Sequence, residues 1–166
     1  KSVGSRGGLM ITRVLAVVLA LLVSTSFAMA QCRPDRVDLR GDWGNVSFNV
    51  ELAADNATRA RGLMFRESMP RFSGMLFVYE QPVAARFWMR NTLIPLDMIF
   101  IDRFGVVKRI HKEAIPKDET IIDGGNGIFA VLEINGGLVD QLGIDVGTEI
   151  RHPQFGKTAK WACDPA

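Results

Sequence analysis

Apolar positions in this chain recur with the period of strands, not helices. Val46-Ser47-Phe48-Asn49-Val50-Glu51-Leu52 alternates apolar and polar residues, the pattern of a half-buried strand. Gly74-Met75-Leu76-Phe77-Val78-Tyr79 is a short apolar strand, and Glu80-Gln81-Pro82 is expected to end it. Phe87 to Asp102 reads as two strands around a Thr92–Pro95 turn, because Pro95 fixes its own φ and pushes Ile94 to an extended conformation. Asp102-Arg103-Phe104-Gly105 makes the next turn and Val106 to Ile110 the returning strand, which completes a β-meander. Ile128 to Asn135 is a nearly continuous apolar strand, and Glu149 to His152 is the last one. Helical signals are few. Asp55 or Asn56 can cap a short helix over residues 57–64 that ends near Gly62. Residues 138–142 make a second, with Gly143 as left-handed cap and Ile144 as the following apolar contact. The expected fold is mostly β (α+β): a single compact, antiparallel, barrel-like β domain with two short helices.

The hairpin reading sets Arg90 opposite Asp97 and Trp88 opposite Ile99, so Arg90 and Asp97 are a candidate ion pair. Both strand faces carry apolar residues, which implies that both are covered and that a charge between them needs a partner. Glu133 interrupts an apolar strand and is expected to be a buried carboxylate in one network with Arg90, Asn91 and Asp97.

The first residues read as a leader. Arg13 supplies positive charge, Val14 to Val23 is an apolar run too short to span a bilayer, and Ala28-Met29-Ala30 is a small-x-small cleavage site. Residues 1–30 are therefore expected to be a secretory signal peptide, with Met10 as an alternative start. Residues 31–45 read as a polar lead-in, 46–155 as the β-rich domain and 156–166 as a tail. Gln31 stands where a lipid-attachment motif needs a small residue, so a lipid anchor is disfavoured and no stable membrane insertion is expected after cleavage. The implied location is periplasmic or extracellular.

Charge changes the picture mainly by exclusion. Three of the 20 basic residues, Lys1, Arg6 and Arg13, fall in the leader, which leaves 17 against 18 acidic ones. A near-neutral domain without a basic run gives no electrostatic case for nucleic acid. The two cysteines, Cys32 and Cys163, stand near the ends of the mature chain and in an exported protein read first as a disulfide. Nothing in the sequence sets the oligomeric state.

Arg61-Gly62-Leu63-Met64, Gly74-Met75-Leu76-Phe77, Phe87-Trp88-Met89-Arg90-Asn91-Thr92, Ile94-Pro95-Leu96-Asp97 and Leu132-Glu133-Ile134-Asn135-Gly136-Gly137 occur together and in this order. In these stretches the chain resembles the domain-of-unknown-function family 192, an uncharacterised family of bacteria and archaea. The resemblance spans about Val46 to His152 and implies a compact β-rich domain, often exported, with no assigned activity. Gly124-Gly125-Asn126-Gly127 departs from the shorter Gly-Gly turn followed by proline that is common in that family.

Most familiar chemistries are weakly supported. Ser47, Ser68 and Ser73 sit in no nucleophile elbow, and a disulfide leaves no thiol nucleophile. His111 and His152 have no partner at zinc-ligand spacing. Gly124 to Gly127 precedes a strand, not a helix, and reads as a flexible turn instead of a phosphate loop. Met64, Met69, Met75, Met89 and Met98 raise a thioether Cu(I) site, but methionine is far more often core filler. No metal and no cofactor is expected. What remains is Arg66, Trp88, Arg90, Asn91, Asp97, Glu133 and Asn135, a mixture of one aromatic face, cations, amides and two carboxylates that suits a small-ligand site. The leading expectation is a domain binding a small polar or anionic ligand such as a saccharide or envelope fragment. Two alternatives stay open: a hydrolase in which Asp97 and Glu133 share general acid–base work, and a structural or interaction domain in which they only hold the fold together.

Overall fold

The computed structural model describes residues 32–163, so the expected signal peptide lies outside the described residues. The elements run β1 (Arg36–Gly41), β2 (Gly44–Ala53), α1 (Asn56–Arg61), β3 (Ser73–Phe87), β4 (Leu96–Ile101), β5 (Val107–Ala114), β6 (Ile122–Asn135), α2 (Leu138–Leu142), β7 (Glu149–Arg151) and a 3-10 segment, Pro153–Thr158. The strands form one seven-stranded sheet in the order β5-β4-β6-β3-β2-β1-β7. Every neighbouring pair is antiparallel except β2 and β3, which run parallel across the α1 crossover. The sheet curls until its two edges touch. Val106 bridges Glu149, and Val107 N–H donates to Thr148 O at 2.9 Å. This contact shields edge groups that would otherwise be open to another chain. Among the described residues, no helix is long and apolar enough to cross a membrane.

Alternation along the strands gives the sheet two apolar faces. Leu76, Ile99, Leu132 and Ile134 point into one core, which α2 covers with Leu138 and Val139. Their neighbours Met75, Phe77, Met98, Phe100 and Val131 point to the other face. Leu63 after α1, Phe87 at the end of β3, and Met89 and Ile94 in the loop that follows pack over that second core. The doubly apolar reading of 87–102 therefore has a simple cause: the central strands are buried on both sides.

The expected hairpin does not form. β4 is paired with β5 on one edge and β6 on the other, so no edge remains for residues 88–91. Those residues form a loop in which Asn91 is left-handed (φ 55°). The loop's backbone bonds to a second loop, with Met89 N–H donating to Asp118 O and Lys117 N–H to Thr92 O. The other half of the meander, β4 to β5 around Asp102–Gly105, is as expected. The polar lead-in contains β1, where Val37 and Leu39 are fully buried. β3 runs on past Pro82 through register irregularities, where a missing N–H is tolerated. Gly124–Gly127 is part of β6 and no free turn. Gly124 is required by packing, since a Cβ there would lie 2.2 Å from the Phe100 ring.

Of the two cap candidates for helix α1, Asp55 is the one used, and it forms a capping box: its carboxylate accepts from Ala57 and Thr58 N–H, each at 2.9 Å. The helix ends at Arg61 with Gly62 as its C-cap, the end that Gly62 suggested. α2 ends as expected on left-handed Gly143 (φ 76°), with Ile144 N–H on Val139 O. Cys32 and Cys163 are disulfide-bonded, their Cα atoms 5.7 Å apart.

Candidate functional site

The second core is interrupted by one acid. Glu133 lies mid-strand on β6 between Met75 of β3 and Met98 of β4, both buried. Its residue is only 4 % exposed. Among the described residues, no ion pair reaches its carboxylate. Burial alone pushes its pKa up to about 8, with no neighbouring donor or cation opposing the shift. No side-chain polar atom among the described residues is both fully occluded and unpartnered. The small remaining exposure of this carboxyl is therefore into the cavity that it lines.

That cavity measures about 220 Å³. Glu133 is joined there by Phe77 and Tyr79 of β3 and by Phe87, Trp88 and Thr92 from the end of β3 and the following loop. Gly62, Leu63 and Met64, the turn that leaves α1, also line it. Gly62 (φ 50°) brings this turn close to the sheet; a Cβ would meet the Phe77 ring at 3.2 Å. Phe87 stacks edge-on to Phe77 at 5.3 Å and to Phe100 at 5.9 Å, which holds the aromatic wall in place.

Three arginines complete the lining: Arg59, Arg61 and Arg86. Arg59 is committed. Its Nη1 donates to Ala54 O at 2.6 Å and Val78 O at 2.8 Å, its Nη2 to Asn56 Oδ1, and its guanidinium lies 5.3 Å from the Tyr79 ring centroid. Arg61 and Arg86 make no ion pair among the described residues. Burial pushes the Tyr79 phenol up, Arg59 opposes that, and the Glu133 carboxyl adds to it.

Of the residues expected to form a site, the cavity brings together only Trp88 and Glu133. Arg90 pairs with Glu119 at 2.7 Å on the surface, not with Asp97, and its guanidinium lies 4.3 Å from the centre of the Trp88 ring. Asp97 points to the α2 side and is fully buried. It accepts N–H groups of Glu113 (2.8 Å), Gly137 (3.1 Å) and Val139 (2.8 Å), which ties β5 and the start of α2 to β4. Arg66 forms a two-pronged pair with Glu51. Asn91 shapes its loop, its carbonyl accepting from Phe65 N–H at 2.8 Å. Asn135 donates to Pro70 O at 3.0 Å and pins the loop before β3. The single network of Glu133 with Arg90, Asn91 and Asp97 is therefore corrected: the other three bond elsewhere, and the Glu133 side chain has no polar partner among the described residues. Arg59, Arg61, Tyr79 and Arg86 escaped the sequence reading. Tyr79 had a signal, since it continues the Met75, Phe77 face by strand alternation.

Residues 38–152 match the family model for DUF192, described as an uncharacterized ACR. The chain belongs to this family. Two solved structures are similar to it. A protein of unknown function from Novosphingobium aromaticivorans DSM 12444 is 44% identical, with TM-score 0.68 over 69% of this chain and 82% of that one. A putative transcription regulator from Sinorhizobium meliloti 1021 is 39% identical, with TM-score 0.69 over 72% of this chain and 94% of that one. No curated protein matches. The stretches that carry the DUF192 resemblance converge on the cavity: Arg61 to Met64, Phe77, Phe87, Trp88, Thr92 and Glu133 all line it.

Proposed function

We propose that this DUF192 domain binds a small polar ligand, of the size of a monosaccharide or an amino acid, in the Glu133 cavity. The observation that carries this reading is the Glu133 carboxyl itself: nearly buried, without a donor among the described residues, and lining an aromatic-walled cavity. A buried polar group without a partner costs free energy that a ligand can recover. Apolar walls with a few polar groups are the usual composition of small-molecule sites, and 220 Å³ lies below the roughly 300 Å³ at which drug-sized pockets begin. Work in an exported, oxidising setting is part of the proposal and draws support from the Cys32–Cys163 bond and the leader-like first residues.

A two-carboxylate hydrolase is not favoured. Asp97 spends its oxygens on backbone N–H groups and lies on the far side of the sheet from Glu133. A nucleic-acid role, which the name of the Sinorhizobium protein would suggest, draws no support from a near-neutral charge balance.

The test is a thermal-shift and calorimetric screen of neutral sugars, sugar acids and amino acids. It compares the wild-type chain with Glu133→Gln and Trp88→Ala. A binder should raise the melting temperature of the wild type by mass action and lose its effect in folded Glu133→Gln. If no compound binds, or binding is indifferent to both variants, the cavity is not the site.

A further inference from the structure

We infer that the ligand of this cavity is a zwitterion of amino-acid size, its ammonium group held by Glu133 and its anionic group by Arg61 and Arg86. This rests on the cavity being a ligand site, and it names the ligand's chemistry. The lining offers one nearly buried carboxyl and two guanidinium groups that do not pair with one another. Among the described residues, Glu133 on β6 is in no ion pair, and Arg61 and Arg86 are in none either, although all three line one space of about 220 Å³. Arg61 and Arg86 are exposed and hydrated, whereas the Glu133 carboxyl is nearly buried and holds its proton while nothing cationic approaches it. One molecule with a cation at one end and an anion at the other satisfies both ends at once.

Other ligand classes satisfy less. A simple anion suits the arginines and engages the Glu133 carboxyl only while that group keeps its proton. A simple amine suits Glu133 and leaves the arginines without a partner. A neutral sugar can hydrogen-bond Glu133 but uses neither charge. An ammonium group offers three donors to a carboxylate and is also attracted to aromatic faces, which Tyr79, Phe87 and Trp88 supply. Arginine is suited to a ligand carboxylate or phosphate through its planar, two-pronged donor set.

The probes are the common L-amino acids, D-alanine, D-glutamate, 4-aminobutyrate and glucosamine 6-phosphate, with glucose, galactose and glucuronate as the contrasting set. Calorimetry at millimolar probe concentration is run on the wild-type chain, Glu133→Gln and the Arg61→Ala/Arg86→Ala double variant. The double variant alters exposed side chains only, so it stays folded even where Glu133→Gln does not. The expected result is binding of a zwitterion, at least tenfold weaker for its analogue lacking the amine, for its analogue lacking the anionic group, and for the double variant. Binding of a sugar or sugar acid that depends on Glu133, with no zwitterion bound, overturns the zwitterion and keeps the site. Binding of neither set overturns both.

Discussion

Asp97 and Glu133 sit on neighbouring strands and on opposite faces of one sheet. In the β4–β6 register Asp97 is opposite Ile134, and Glu133 is opposite Met98. One residue of offset sends each carboxylate to a different core. Asp97 finds backbone N–H groups from β5 and the α2 turn, while Glu133 finds a cavity. Composition does not distinguish the two acids; their fates follow from strand parity.

Asp97 is therefore expected to be structural. Asp97→Ala removes the acceptor for three N–H groups and should cost about 2–4 kcal/mol in urea denaturation, with Asp97→Asn costing less. Any ligand bound in the Glu133 cavity should bind the folded Asp97→Asn protein unchanged. A stable Asp97→Ala protein that loses binding would reverse the two roles.

Gly124 should not tolerate a side chain. A Cβ would overlap the buried Phe100 ring, which itself stacks on Phe87 of the cavity wall. Gly124→Ala should destabilise the domain by on the order of 2 kcal/mol, the usual cost of overpacking. A neutral effect in chemical denaturation would mean that this stretch is a free turn after all.

Strand content, both helices and the disulfide pairing were legible because they rest on simple signals: alternation in 46–52, the Asp55 cap, Gly143 followed by Ile144, and two cysteines flanking the β-rich domain. β1 was legible in principle, since Val37-Asp38-Leu39-Arg40 alternates, but it was hidden by surrounding charges. The 88–95 loop was not legible. Its identity depends on β6, some 30 residues later in the chain, taking the β4 edge that a hairpin would have used. The same long-range pairing decides the site. It sets Glu133 beside Met98 instead of Arg90, and it brings Arg86 to the cavity by β3 running on past Pro82.

The disulfide should contribute substantially to stability. Cys32 and Cys163 are separated by 131 positions and enclose the whole described domain. Reduction, or Cys32→Ala/Cys163→Ala, should lower the unfolding free energy by up to about 4–5 kcal/mol on the chain-entropy model. Denaturation midpoints with and without reductant measure this. Coincident midpoints, with reduction verified by mass, would contradict it.

Glu133 also makes stability depend on pH. The unfolded chain loses this proton near 4.5, the folded domain near 8. Between these values the folded state binds more protons, so the Glu133 contribution to stability is full below about 4.5, falls as pH rises and levels off above about 8. Glu133→Gln removes that slope. The variant should gain on the wild type across this window by at most about 1.4 kcal/mol per pH unit, read from denaturation curves at several pH values. Parallel curves for the two proteins would contradict the assignment.

The most direct measurement follows the Glu133 side-chain carboxyl carbon by ¹³C NMR through a pH titration of the ligand-free chain, with Glu133→Gln identifying the resonance. A carboxyl that is buried, free of protein donors and facing the cavity should titrate with a midpoint of about 8. A midpoint in the ordinary carboxylate range, near 4.5, would mean that water or a side chain already satisfies it, and the cavity would have no unmet group for a ligand to fill.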